Sequence, residues 1–332
     1  MKVFEPINKK RFFTLIDKYR KIQADFLKEF VVDDIFSNSK IYEIVIANEL
    51  EHILIPGHSG SKDAKDDSGR IYEYKHYKES SSNHTWTFND FSDATIEGLN
   101  SCDYVIFAHI LDEQFPEKFD WYYKIPGRLV SGFLSNATKK ITNTRKMINI
   151  SRNNIEQKMN GIKQIVQPIE SGKYSKWLND IYIVEKNLEE CTNVTHILTS
   201  NKVWEVLVAV ELNHNVNSEQ GGRAGAHDAF DKDGNQFEYK VSKTFSWNFQ
   251  DISDNVLRKY KSDKAIILSV VDKTEIKVGR IYSASPNKVV SRLKEKLSEK
   301  REKHKSKGKA LRRLQVSLSK EDLKKINAYQ IL

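Results

Sequence analysis

Two stretches of this chain place an acid, a turn, and then an acid and a lysine two positions apart. One reads His227-Asp228-Ala229-Phe230-Asp231-Lys232-Asp233-Gly234-Asn235-Gln236-Phe237-Glu238-Tyr239-Lys240. The other, Lys62-Asp63-Ala64-Lys65-Asp66-Asp67-Ser68-Gly69-Arg70-Ile71-Tyr72-Glu73-Tyr74-Lys75, keeps the aspartate, turn glycine, glutamate, tyrosine and lysine in the same register. Side chains alternate faces along a strand, so Glu238 and Lys240 point one way and Phe237 and Tyr239 the other. Asp228 at the end of one strand and Glu238 on its hairpin partner can then converge on one point. Two converging carboxylates suit a hard cation such as Mg²⁺. The lysine places an ammonium beside that point, able to orient a water and to neutralise charge developing on a phosphoryl group. Glu205, and Glu43 in the other copy, lie on a preceding helical stretch and can reach the same ion. This donor set suits metal-assisted hydrolysis of a phosphodiester.

The elements that must hold these residues are legible in the second copy. Lys173 to Glu190 carries Trp177, Leu178, Ile181, Val184 and Leu188 at helical spacing. Ser200 to Leu212 follows a Thr/Ser/Asn cluster suited to capping and carries Val203, Val206, Leu207 and Val210. Gly221 to Gly225 forms a flexible approach to a strand ending near Phe230. Asp231-Lys232-Asp233-Gly234 then turns the chain, and Gln236 to Ser242 returns as a strand. A helix around Asp251 to Tyr260 and an apolar strand from Ala265 to Val271 complete a mixed sheet flanked by helices. Trp86, Trp247, Phe88 and Phe249 read as core aromatics and His52 and His214 as helix-end residues. Asp90, Asp93, Asp251 and Asp254 sit where acids favour a helix start.

The copies extend well beyond the acidic stretches. Lys40-Ile41-Tyr42-Glu43 lines up with Lys202-Val203-Trp204-Glu205, and His52 with His214, at one constant offset. Trp86-Thr87-Phe88 lines up with Trp247-Asn248-Phe249, and Tyr104 to Ile110 with Ala265 to Val271. One unit written twice implies two tandem α/β domains, residues 1–160 and 161–332, with a linker from Glu156 to Lys173 where Gly161, Pro168 and Gly172 break the pattern.

Composition narrows the function classes. The 332 residues are 39% hydrophobic, without an apolar run of membrane-spanning length. The N-terminal stretch lacks an apolar signal core, and Cys102 and Cys191 match no metal-site spacing, so a cytoplasmic setting with reduced thiols is expected. A net charge of +9 favours a polyanionic partner. Arg292 to Arg313 is the most basic run, and Lys305, Lys307, Lys309, Arg312 and Arg313 are its candidate phosphate contacts. Lys139 to Arg152 is its counterpart in the first copy.

On the residues quoted above, the chain resembles the PD-(D/E)xK nuclease superfamily, and within it the type II restriction endonucleases. Glu43, Asp63, Glu73, Lys75 and Glu205, Asp228, Glu238, Lys240 match its pattern of acid, turn and acid-x-lysine, with a glutamate on the helix before. Lys62 and His227 stand where proline often precedes the first aspartate. The resemblance covers residues 35 to 112 and 197 to 272. It implies two restriction-endonuclease-like domains and a Mg²⁺-dependent, sequence-specific cut in double-stranded DNA, made by a monomer acting as a pseudo-dimer. It also implies a cognate DNA methyltransferase and no membrane. A single copy reads equally as a hairpin with a solvated Glu-Lys pair; acids and lysines shared between copies that have drifted elsewhere favour chemistry. Other readings are a nickase with one active and one binding copy, a non-catalytic DNA-binding protein, and a repair or junction nuclease.

Overall fold

The computed structural model describes residues 5–32, 35, 40–56, 62–89, 92–113, 116–139, 141, 147–200, 202–217, 227–306 and 314–332. The first repeat runs α1 (Lys9–Phe30), α2 (Lys40–Glu49), β1 (Ile53–Leu54), β2 (Ala64–Lys65), β3 (Ile71–Lys78), β4 (Thr85–Asn89), α3 (Asp93–Asn100) and β5 (Tyr104–Leu111). It continues with β6 (Lys118–Pro126), α4 (Gly127–Thr138), β7 (Met147–Ser151), α5 (Arg152–Lys158) and β8 (Lys163–Ile165). The second repeat opens with α6 (Ser175–Thr192), α7 (Val203–Leu212), β9 (Asn215–Val216), β10 (Ala229–Phe230), β11 (Gln236–Ser242) and β12 (Ser246–Phe249). It closes with α8 (Asp254–Ser262), β13 (Ala265–Asp272), β14 (Lys277–Ala284), α9 (Pro286–Lys305), β15 (Val316–Ser319), α10 (Asp322–Lys325) and β16 (Tyr329–Gln330). Among the described residues the second list repeats the first, element for element.

Each repeat builds a six-stranded mixed sheet, in the order β1-β2-β3-β5-β6-β8 and, equivalently, β9-β10-β11-β13-β14-β16. The pairs β3–β5 and β11–β13 are parallel, joined through α3 and α8; the other neighbours are antiparallel. The central strands Tyr-Val-Ile-Phe-Ala-His-Ile-Leu and Ala-Ile-Ile-Leu-Ser-Val-Val-Asp are buried almost throughout, as expected for strands covered on both faces. Both repeats break register at the same place, between His109 and Ile110 and between Val270 and Val271. Small ribbons, β4–β7 and β12–β15, cover one face and insert Trp86 and Trp247, each fully buried. The indole N–H of Trp86 donates to the Ala108 carbonyl at 2.8 Å and that of Trp247 to Ser269 at 2.9 Å. The expectation of core aromatics holds.

The chain divides into two compact units, Lys21–Ile183 and Val184–Leu332, the second joined by the residues up to Arg20. This differs from the division expected at residue 160. α1 and α6 each begin in one unit and end in the other, so the opening stretch of each repeat packs with the other repeat. Phe12, Leu15, Ile16 and Tyr19 are buried in the second unit, and Tyr174, Leu178, Ile181 and Tyr182 in the first. The linker expected from Glu156 to Lys173 is likewise corrected: Lys163–Ile165 is the sixth strand of the first sheet. Glycine punctuation misled here because Gly161 ends α5 in tight contact with Ile155 rather than opening a hinge. The capping cluster expected before α7 is also corrected, since Lys202 is the N-cap and makes no side-chain cap bond. The Glu185 carboxylate instead accepts from the amides of Leu198 and Thr199, both at 3.1 Å. No helix among the described residues is long and apolar enough to cross a membrane.

Candidate active site

Each site grows from a hairpin that the sequence dictates. Gly69 and Gly234 adopt φ of +80° and +79°, a conformation that costs glycine little, and close the turns with N–H bonds to the Asp66 and Asp231 carbonyls. The turn sets β2 against β3 and β10 against β11, which brings the first acid opposite the acid-x-lysine strand. The Asp63 amide donates to the Tyr72 carbonyl, and the Tyr74 amide donates back to Asp63 Oδ2 at 2.6 Å. Asp228 repeats this with Phe237 and with the Tyr239 amide, at 2.7 Å. One carboxylate oxygen is thus spent on fixing the side chain, leaving Oδ1 for other work.

Glu73 and Lys75 share a face of β3, and the ammonium donates to Glu73 Oε1 and to the Tyr74 carbonyl. Lys240 does the same to Glu238 at 2.5 Å and to Tyr239 at 3.2 Å. Lys75 lies over the Phe88 ring at 5.3 Å and Lys240 over Phe249 at 5.6 Å, so both ammonium groups sit on an aromatic floor. Glu43, in the first turn of α2, is held by Lys40 at 2.5 Å, and Glu205 by Lys202 at 2.5 Å. All eight catalytic and metal-ligating residues expected from the sequence therefore occupy two matching clusters. The lysines that hold the helix glutamates were not foreseen, although Lys40-x-x-Glu43 and Lys202-x-x-Glu205 stand in register in both copies.

Burial, followed by repulsion from Asp63, pushes the Glu43 carboxyl up to about 7. Burial likewise pushes Glu73 to about 8, against the opposing pull of Lys75. In the second site burial also raises Glu205 and Glu238, with Asp228 adding to both. Burial alone would lower both lysines. The nearby acids reverse this, Glu73 and Asp63 for Lys75, and Glu238 with the Tyr260 phenol and Asp228 for Lys240, so both stay above the usual lysine range. Each lysine is therefore a fixed cation rather than a neutral base.

The chemistry of the donor set suits a divalent cation, although its spacing as it stands does not close on one. Glu73 Oε2 is buried and has no hydrogen-bond partner among the described residues, and Asp63 raises Glu43 while Asp63 and Glu43 raise Glu73, a crowding of carboxylates that a cation relieves. Among the described residues no group of three or more His, Cys, Asp or Glu is placed so that it could hold a metal ion. Mg²⁺ keeps several waters and takes one or two carboxylates together with substrate phosphates, so a partial protein shell matches its habit.

The two sites differ at their edges. Asp263 stands where the first repeat has Cys102, and Tyr260 where it has Leu99. Asp263 is buried, bonds to His227, and is pushed up to about 7 by burial and then by Glu238 and Asp228. The two histidines are matched: His52 Nδ1 pairs with the Tyr74 hydroxyl at 2.7 Å and His214 with Tyr239 at 2.8 Å, on the tyrosines of β3 and β11. Burial lowers both, His52 to about 4.

Of the candidate phosphate contacts, Lys305 is exposed in the last turn of α9, whereas Lys307, Lys309, Arg312 and Arg313 lie outside the described residues. The earlier part of the basic run is partly committed to the fold: Arg292 and Lys296 bind the buried Asp322 at 2.7 and 2.5 Å, and Lys300 donates to the Gln315 carbonyl at 2.6 Å. The structural counterpart of α9 is α4, not the Lys139–Arg152 stretch expected to match it. α4 carries a single arginine, so the basic helix belongs to the second repeat alone. Gly221 to Gly225 and Asp90 also fall outside the described residues. No protein-family model and no curated protein sequence matches the chain.

Proposed function

We propose that this chain is a Mg²⁺-dependent endonuclease that hydrolyses phosphodiesters in double-stranded DNA at a specific sequence, with one PD-(D/E)xK-type site in each repeat. The observation that carries the proposal is the recurrence of one constellation, Glu43-Asp63-Glu73-Lys75 and Glu205-Asp228-Glu238-Lys240, with the same hydrogen bonds in both copies. Asp63, Glu73 and Glu43 would hold the cation in the first site and Asp228, Glu238 and Glu205 in the second. When bound, the cation supplies Lewis-acid polarisation of the phosphoryl oxygen and a bound water of lowered pKa. The Lys75 and Lys240 ammonium groups orient the attacking water by donating to it and neutralise charge gathering on the phosphoryl oxygens. Tyr74 and Tyr239 hold the aspartates through their backbone amides, which keeps one oxygen of each aimed at the cation. The exposed lysines of α9 add sequence-independent attraction to the backbone. A cytoplasmic setting and a companion methyltransferase that shields the host's own sites belong to the same proposal.

A second reading has its own observation. The substitution of Asp263 and Tyr260 for Cys102 and Leu99 makes the sites chemically unequal, which suits a chain with one cutting and one binding copy. Incubation of supercoiled plasmid with Mg²⁺, and separately with EDTA, tests the proposal. Metal-dependent linear product that disappears in the Lys75→Ala, Lys240→Ala double variant is expected. A plasmid left intact with metal present, or cutting indifferent to both lysines, contradicts it.

A further inference from the structure

The second unit contains a cavity of about 480 Å³ that the catalytic reading does not use. Its walls come from the stretch before α1, the end of α6 and the edge strands β9 and β10, and its polar lining holds four asparagines, Asn8, Asn193, Asn215 and Asn217, beside Glu5, Arg11, Glu190 and Thr192. Asn215 is only 8% exposed, and its Oδ1 is buried with no hydrogen-bond partner among the described residues. A buried acceptor without a donor costs about 1–3 kcal/mol, so the position calls for a donor from outside the chain. Asn8 Oδ1 already caps α1 through the Arg11 amide at 2.9 Å, which leaves its amide N–H groups for a ligand. The one guanidinium in the wall, Arg11, is paired with Glu190 at 3.4 Å, so the cavity offers no free positive charge for a phosphate. Phe230, paired across the sheet with Asn215, and Val216 supply the apolar surface.

The first repeat is an internal control. Val31, Ile53, Ile55 and Lys65 stand where the second has Asn193, Asn215, Asn217 and Phe230. There the corresponding space is closed by rings: Tyr174 packs on Phe30 at 4.8 Å and its hydroxyl accepts from the Leu54 amide at 2.9 Å. Where the first repeat has three aliphatic side chains, of which Val31 is exposed, the second has amides around an open space.

We infer that this cavity binds a nucleobase, adenine above the others, by its hydrogen-bonding edge. Amides present an acceptor beside a donor, the complement of an adenine edge, and the site has a ring to pack against, while its charged groups, Glu5 and the Arg11–Glu190 pair, give an anion no net attraction. The base can be that of a free nucleoside or one turned out of a DNA duplex; both present the same edge. Asn217 donates through its side chain to the His227 carbonyl at 2.9 Å and through its amide to the Asp228 carbonyl at 2.8 Å, so an occupied cavity braces the segment that carries Asp228. The inference stands without the nuclease proposal, because its readout is binding.

Calorimetric titration of the full chain with adenosine and with thymidine, together with binding of a duplex bearing one unpaired, extrahelical adenine and of its fully paired counterpart, tests it. Adenosine binding that weakens by about tenfold or more in Asn215→Leu and in Asn193→Gly is expected for a free nucleoside, with slowed amide exchange at residues 5–11. A preference for the extrahelical adenine that both variants abolish assigns the base to DNA instead. Asn193 sits at φ 56°, so glycine fits its backbone and that variant decides the question even if Asn215→Leu fails to fold. No adenosine binding and no preference for the extrahelical base, or affinities unchanged in folded Asn193→Gly, overturn the inference.

Discussion

Glu73 concentrates the electrostatic tension of the first site. Its carboxyl and that of Glu43 hold their protons in the folded chain to about 8 and about 7, against an ordinary 4.5. A carboxyl whose pKa is raised by folding contributes stability that is complete below about 4.5 and is lost as pH climbs through the folded values. A divalent cation binds the ionised carboxylates and offsets that loss. Mg²⁺ should therefore raise the melting temperature by more at pH 8 than at pH 5, and Glu73→Gln should shrink the difference; equal gains at both pH values would count against a metal at this site. The acids and lysines were legible in the sequence because a spacing of two fixes them to one face of a strand and the repeat displays them twice. Asp263 and Tyr260 were not, since nothing in their own neighbourhood marks them as close to Glu238.

At the scale of elements, the ribbon tryptophans tie β4 and β12 to the central strands by packing and by one indole bond each. Trp86→Ala and Trp247→Ala should each cost about 3–5 kcal/mol in chemical denaturation, and Trp→Phe markedly less. Gly127, at the start of α4, lies so close to the Cys102 and Leu99 carbonyls that an added Cβ would fall 2.3 and 2.5 Å from them. Gly127→Ala must push backbone against backbone, so a loss of about 1–3 kcal/mol is expected in the same measurement. The return strand Gln236–Ser242 and the helix near Asp254 were readable from alternation and helical spacing. The edge strand β8 was not, because three residues beside glycines carry no period and only the open side of β6 recruits them.

At the scale of the whole molecule, the exchange of opening stretches governs how the chain can be divided. Phe12, Leu15, Ile16 and Tyr19 belong to the unit of the second repeat, and such side chains contribute roughly 1.5–3 kcal/mol each when buried. Their sum rivals the about 5–15 kcal/mol that keeps a domain folded. Fragments 1–160 and 161–332 should therefore unfold or aggregate alone and recover cooperative melting when mixed; two independently stable fragments would contradict the exchange. Comparison of the copies shows which residues correspond. It carries no information on which copy an opening stretch packs against, because the same side chains are buried either way.

The central claim is that the two constellations cut one strand each, and strand-resolved cleavage tests it most directly. A duplex containing the recognised site, labelled differently on its two strands, would be incubated with Mg²⁺ and wild type, Lys75→Ala or Lys240→Ala. Wild type is expected to cut both strands and each variant only one, with the spared strand differing between the variants. Both strands cut at the wild-type rate by either variant, or neither strand cut by wild type, would contradict it.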